Sequence, residues 1–266
     1  MMLRMVFILN IIVQYRCPQH RQSALILLMS SCVSLGPDGV LRLPRNLRGR
    51  DFAVGDIHGH FCRLQQALDE MGFESGRDRL FSVGDLIDRG PDSLAAAVWL
   101  QAPWFFAVQG NHEDMAIRHV RSGMLDQNIW RRNGGGWFLD LPPERQRVLA
   151  QCYEALPVLI EVATQAGPVV LVHADSPVQD WSCLVALTPE DRARAQWSRE
   201  RLQTHNTAGV ANVRAVVTGH TVVPEPLVLG NVYHIDTAGW QDEGYFTLLA
   251  LDSLSAWPRP VRVGGS

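Results

Sequence analysis

Residues 51–59 read DFAVGDIHG, an apolar run that stops at Gly55 and gives way to Asp56, Ile57, His58 and Gly59. A short apolar run ending at a glycine is the pattern of a buried strand. The plan returns twice, as RLFSVGDLIDRG over 79–90 and as WFFAVQGNHE over 104–113. Helical spacing separates these runs. Phe61, Leu64, Ala67, Leu68 and Met71 recur every three or four residues, which predicts a helix over Phe61–Met71. Asp92–Leu100 follows Pro91 and is rich in alanine, so a second helix is expected with proline near its start. A third is expected over Glu113–Arg121. Alternating strand and helix argue for a layered α/β fold.

Farther along, strands are expected over Leu156–Val162, Val169–His173, Ala215–Thr218, Val232–Ile235 and Phe246–Leu251. Helices are expected over Glu144–Glu154 and Thr188–Leu202, the latter capped by Thr188 with Glu190 and Asp191 in its first turn. NGGGWF, residues 133–138, is expected to be a tight turn, because three glycines carry little helix or strand propensity. Trp104, Trp137 and Trp197 are expected in the core. No repeat, low-complexity tract or linker interrupts the chain, so one domain is expected over 39–266.

The chain has 266 residues, 47% hydrophobic and 19% charged, enough to bury a core and inconsistent with a disordered chain. A net charge of −3 excludes a whole-protein basic footprint for nucleic acid. No apolar run approaches the roughly 18 residues of a membrane span, so stable membrane insertion is not expected. Five scattered cysteines without a C-x-x-C pair argue against a disulfide framework or zinc ribbon, and a cytoplasmic location is expected. Residues 1–38 are set apart as an N-terminal extension, either disordered or outside the core, with an extra structured strand or helix as another reading. Arg4 followed by apolar Met5–Val13 has the form of a short signal or anchor segment, which is the alternative location, yet no small-residue cleavage site follows it.

The polar residues gather where strands end: Asp56 and His58, then Asp85, Asp88 and Arg89, then Asn111 and His112, then His173 and Asp175, then His220. Ligands bind outside the carboxyl ends of strands in open α/β sheets. Oxygen and imidazole donors without thiolate suit Mn, Fe or Zn better than a structural zinc site. Asp56 to Asp85 spans 29 residues and Asp85 to Asn111 spans 26, each the length of one β-α-β unit, so all three can reach one sheet edge. Taken singly, each histidine reads equally as a hydrogen-bonded strand-end residue, Asp88–Arg89 as a structural ion pair and Arg199 as a solvated helix residue. His60 and His119 read as helix surface, His205 as loop and His234 as core or rim.

In this order GDIHG (55–59), GDLIDRG (84–90), GNHE (110–113), HAD (173–175) and GHT (219–221) resemble the phosphoprotein phosphatase branch of the calcineurin-like metallophosphoesterases, including the bacteriophage lambda phosphatase and its bacterial serine/threonine phosphatase relatives. The likeness extends to NGGGWF, to WSRER (197–201) and to IDT (235–237), and spans roughly Asp51 to Leu251. It implies a layered metallophosphoesterase fold: mixed β-sheets packed between helices, a β-sandwich core with a βαβαβ metal-binding scaffold. It implies a metal-dependent phosphomonoesterase acting on phosphorylated proteins at serine or threonine, with dual specificity open, or on small phosphomonoesters. It implies two divalent ions, manganese foremost, with iron, zinc, nickel or magnesium as alternatives.

By the same resemblance Asp56 and His58 hold the first ion, Asp85 bridges both, and Asn111, His173 and His220 hold the second. A bridging hydroxide is the implied nucleophile. His112 is the implied general acid, oriented by Asp88, and Arg89 and Arg199 bind phosphate oxygens. Two cations some 3.5–4 Å apart can lower the pKa of a shared water and clamp an in-line displacement. Arginine forks match phosphate in a bidentate manner. Departures from the family pattern are Gln109, where arginine is frequent before GNHE, Ala238 within Asp236-Thr237-Ala238-Gly239, and His60 in place of a small residue or cysteine. The long signature loop of the eukaryotic enzymes is absent. A dinucleoside-polyphosphate (diadenosine tetraphosphate) hydrolase is a second reading, against which His58 argues, since such relatives commonly carry glutamine there. A non-catalytic metal- or phosphate-binding module is a third, against which the complete donor set argues.

Overall fold

The computed structural model describes residues 11–17, 20–26, 35–123 and 126–258. Near the N-terminus, β1 (Ile11–Cys17) and β2 (His20–Ile26) pair antiparallel, Ile11 opposite Ile26. Most of the apolar run Met5–Val13 lies outside the described residues. No described helix is long and apolar enough to cross a membrane.

The alternating first half becomes β3 (Val40–Leu43), β4 (Asp51–Val54), α1 (Phe61–Met71), β5 (Arg79–Ser82), α2 (Ala95–Trp99), β6 (Phe105–Ala107) and α3 (Asn111–Ser122). Three helical pieces follow: α4 (Gln127–Trp130), α5 (Gly136–Leu139) and α6 (Pro143–Glu154). The second half holds β7 (Leu159–Thr164), β8 (Gly167–Leu171), α7 (Pro189–Trp197), α8 (Glu200–Gln203), β9 (Ala215–Thr218), β10 (Leu227–Leu229), β11 (Val232–His234), β12 (Leu248–Ala250) and β13 (Ser255–Trp257).

Two mixed sheets result. One has the order β13-β12-β4-β5-β6, with β4, β5 and β6 parallel. The other has the order β10-β11-β9-β8-β7-β3, with β8, β9 and β11 parallel. Strand side chains alternate in direction, and the two periodicities decide what packs where. Ala53, Phe81 and Leu249 from the first sheet meet Val169, Leu171, Ala215 and Val217 from the second, forming the layer between the sheets. Their neighbours Phe52, Val54, Leu80 and Leu248 face the opposite way, onto Phe61 and Leu64 of α1 and Ala95 and Ala96 of α2. Val170 and Val216 turn to the far face, against Ala195 of α7 and Trp181. Each fully buried side chain of this kind contributes about 1.5–3 kcal/mol. The product is the expected sandwich between helices.

Helix ends follow local chemistry. Gly72, at φ 69°, closes α1 by donating its N–H to the Asp69 and Leu68 carbonyls. Thr188 and Asp191 form a reciprocal capping box at the start of α7. Three expectations are corrected. The helix expected over Thr188–Leu202 breaks at Ser198, whose extended ψ of 134° ends α7 and redirects Arg199. The segment Asn133–Phe138 is not a chain-reversing turn but a kink between two helical pieces: the chain breaks at Gly134, left-handed at φ 94° and ψ 0°, before α5 begins at Gly136. Trp197 is 37% exposed rather than core, its indole donating to Asp114 Oδ2 at 2.9 Å.

Candidate metal centre

Because β4, β5 and β6 run parallel, the residues that follow them arrive at one sheet edge. The backbone there turns sharply. His58, Asp85, Asp88, Arg89 and His220 have φ of 44°, 50°, 70°, 63° and 66°, a left-handed conformation that costs a non-glycine residue on the order of 1–3 kcal/mol. The turns brace each other. Asp85 O accepts the N–H of Ile57 and of His58 at 3.0 and 2.8 Å, and Leu86 O accepts that of Gly59 at 2.8 Å. Gly110 passes so close to Asp85 that a Cβ there would lie 2.3 Å from Oδ1, so only glycine fits.

The predicted donors converge on Asp85, whose side chain is buried. Its Oδ1 lies 3.4 Å from His173 Nε2, and its Oδ2 lies 3.6 Å from His58 Nε2 and 3.8 Å from His112 Nε2. Asn111 Oδ1 is 2.8 Å from His173 Nε2, and His220 Nδ1 is 3.1 Å from the same nitrogen. Asp56 Oδ2 is 3.9 Å from His58 Nε2, while Oδ1 accepts the His220 N–H at 3.0 Å. Donor atoms of His58, Asp85 and His112 lie within 4.8 Å of one another, as do those of Asp85, His173 and His220.

The remaining ring nitrogens are tied to the frame. His58 Nδ1 donates to Ile87 O and His173 Nδ1 to Val83 O, each at 2.8 Å, the arrangement that turns Nε2 toward a shared centre. His58 Nε2 and His220 Nε2 are buried with no hydrogen-bond partner among the described residues. A buried polar atom left unpaired costs about 1–3 kcal/mol, and oxygen plus imidazole donors are the set divalent cations accept. These residues therefore fit a pair of such ions.

Electrostatics points the same way. Burial alone would raise Asp85, but His173, His112 and His58 around it hold it well below the usual carboxylate range. Asp56 is held well above that range by burial and by the nearby Asp236. Burial opposes a charge on His173, yet Asp85 and Asp56 outweigh it and push its pKa up to about 9. Burial and the neighbouring His173 press His220 down to about 3.

Around the centre, His112 Nδ1 meets Asp88 Oδ2 at 2.7 Å, and the His112 backbone N–H donates to Asp85 Oδ1 at 3.0 Å. Arg89 Nη2 is 3.4 Å from His112 Nε2, and its guanidinium lies 4.5 Å above the Trp240 ring. Arg199 donates to His220 O at 3.4 Å and Thr221 Oγ1 at 3.1 Å, so the break after α7 brings it to the rim. All ten predicted site residues are thus brought to one region. His234 is buried against Thr218 Oγ1 at 2.9 Å, and Asp175 pairs with Arg201 at 2.8 Å; neither joins the cluster. Gln109 bonds Tyr153 O and Gln196, so it serves the packing between β6, α6 and α7.

Sequence reading missed Glu113. Its carboxylate accepts the N–H groups of Asp85 (3.0 Å), Leu86 (2.9 Å) and Gly110 (2.9 Å), stapling the second strand's turn to the start of α3. Burial and then Asp85 raise its pKa to about 7. A glutamate three residues inside a helix is a capping signal, and that signal was available in the last letter of GNHE.

Residues 52–224 match the calcineurin-like phosphoesterase family. The chain is 38% identical over 189 residues to the serine/threonine-protein phosphatase 1 of Salmonella typhimurium, covering 70% of this chain and 85% of that protein. A symmetrical bis(5'-nucleosyl)-tetraphosphatase of Cellvibrio japonicus is 42% identical over 79 residues, 29% of each chain. Among solved structures, a protein serine/threonine phosphatase of Saccharomyces cerevisiae shares the fold at a TM-score of 0.56 and 16% identity, over 80% of this chain and 77% of that one. With the strand-end cluster, the sandwich and these matches all in agreement, the chain belongs to the calcineurin-like metallophosphoesterases and is a relative of their bacterial serine/threonine-protein phosphatases.

Proposed function

We propose that the protein is a metal-dependent phosphomonoesterase that releases phosphate from phosphorylated serine or threonine in proteins. The observation that carries it is the convergence of three imidazoles on buried Asp85 at 3.4–3.8 Å, beside two arginines. In this reading Asp56 and His58 hold one cation, Asn111, His173 and His220 the other, and Asp85 both. When bound, two divalent ions supply Lewis acidity and a water of lowered pKa. Manganese is the first candidate, with iron, zinc, nickel and magnesium next.

The chain's own groups do the rest. Arg89 and Arg199 offer guanidinium forks to the phosphoryl oxygens, favouring a dianion and favouring the transition state more as charge builds. An alkoxide leaves poorly, so a positioned proton donor contributes about 10²- to 10⁴-fold. His112 occupies that place. Asp88 fixes its Nδ1, which leaves Nε2, 3.4 Å from Arg89, facing the pocket. The long match to a phosphoprotein phosphatase and the shorter one to a nucleosyl-tetraphosphatase support a phosphoprotein over a dinucleoside polyphosphate. The catalytic unit in this reading is residues 39–266.

Hydrolysis of an aryl phosphate is expected to vanish on chelation and return with manganese, and a phosphoserine peptide is expected to turn over faster than diadenosine tetraphosphate. A chain begun at Gly39 should retain both activities. Activity that survives exhaustive chelation, or a preference for the dinucleotide, would sink this reading.

A further inference from the structure

Asp88 is enclosed by donors. Its Oδ2 accepts from His112 Nδ1 and from Trp130 Nε1, and its Oδ1 accepts from Trp137 Nε1, all at 2.7 Å. Asp88 is itself fully buried, and its backbone N–H donates to Ser93 Oγ at 2.9 Å. An indole N–H can only donate. Two indoles on the two oxygens therefore fix the carboxylate plane, and with it the direction from which His112 can be met.

Both tryptophans come from one segment, on either side of the glycine run that the reaction has so far left without a role. Residues seven apart share a helix face, but here they must reach two different oxygens of one carboxylate. The kink at Gly134, which breaks the helix between the two tryptophans, makes that adjustment. Gly134, at φ 94°, lies where a Cβ would stand 2.2 Å from Arg89 N, and a Cβ on Gly135 would stand 2.2 Å from Trp130 Nε1. The glycines let the segment close directly on the turn that carries Asp88 and Arg89. Trp130 is fully buried, with Phe138 at 5.3 Å and His119 at 5.5 Å between ring centroids, so its indole has little freedom.

We propose that Trp130 and Trp137 are positioning residues: together they clamp Asp88 so that His112 keeps its proton-bearing Nδ1 on the carboxylate and its Nε2 toward the leaving group. The proposal rests on the reading of His112 as proton donor. It assigns the Asn133–Phe138 motif a task in leaving-group departure rather than in binding phosphate or reversing the chain.

The test uses Trp130→Phe, Trp137→Phe and His112→Asn in the full chain with manganese. Two substrates are compared, a phosphoserine peptide and an aryl phosphate whose acidic phenol leaves without a proton. Each tryptophan variant is expected to lose about tenfold in kcat on the peptide, the lower end of what removing a supporting partner does, with KM unchanged and the aryl ester little affected. Without added metal, the downfield imidazole N–H resonance that disappears in His112→Asn should shift or broaden in both. Equal losses on the two substrates, or no loss on the peptide, overturn the clamp. If His112→Asn itself hits both substrates equally, the proton-donor reading is wrong and the clamp falls with it. If His112→Asn is selective and the tryptophan variants are not, the clamp alone is wrong. Trp137 is only partly buried, so its variant decides the matter should Trp130→Phe fail to fold.

Discussion

At the start of β4 and β5, Asp51 takes two hydrogen bonds from Arg79 at 2.6 and 2.8 Å, and Asp78 takes Arg50 Nη2 at 2.6 Å and the Arg50 N–H at 2.8 Å. At the other end of the same strands, Asp56 and Asp85 are equally buried, yet among the described residues no guanidinium pairs with either. Their neighbours are imidazoles 3.4–4.0 Å away, a spacing longer than a good hydrogen bond and suited to something in between. Buried acid is common to both ends. The carboxylates at the start of the strands are neutralised by arginine, whereas those proposed to hold cations have no guanidinium partner among the described residues.

The largest expected effect breaks the unpaired end. Asp85→Asn should lower kcat at least about 10²-fold, the scale of removing one preorganised electrostatic group. Turnover in Asp85→Asn close to that of the wild type would erase the contrast. Asp78→Asn is the converse: about 1–3 kcal/mol of stability lost, since Arg50 loses its carboxylate partner and one of the two backbone donors, Arg50 or Glu74, loses its acceptor, with turnover retained, as measured by denaturant unfolding beside an aryl phosphate assay.

That pair also has a pH signature. Burial pushes Asp78 up, but its bonds from Arg50 and from the Arg50 and Glu74 N–H groups outweigh burial and hold it below the usual carboxylate value. A depressed folded pKa gives stability that is present in full above the unfolded value of about 3.9 and is lost as pH falls through the folded one. Wild type should therefore lose more stability than Asp78→Asn on acidification below about pH 4. Identical acid profiles would contradict this. The smallest effect belongs to Gln109→Ala, about 1 kcal/mol for its lost packing bonds, with KM unchanged. A raised KM would place Gln109 in phosphate binding after all.

Much of this contrast was legible in the letters. The helix Phe61–Met71 and the strand Ala215–Thr218 have the expected bounds because their apolar spacing is uninterrupted. The donor set was legible because each member follows a strand and the strands are parallel. The edge strands β3, β10 and β13 were not, since three or four residues with one covered face carry too little pattern. The glycine segment was half legible: the chain does break at Gly134, but the helical pieces on either side, fixed by burial of Trp130 and the close approach to Arg89, carry no local signal. The indole bonds to Asp88 span 42 and 49 residues, and no local signal reports them. Ser198 broke a helix whose composition offers no stop.

The left-handed backbone at His58, Asp85, Asp88, Arg89 and His220 also constrains how this sequence can drift. Valine, isoleucine and threonine are excluded at those five places by their branched β-carbons, whatever chemistry might replace the old one. Glycine and asparagine are admitted most easily. A descendant freed of constraint there would accumulate those two letters first, and the pattern of its decay would still record where the strand-end cluster had stood.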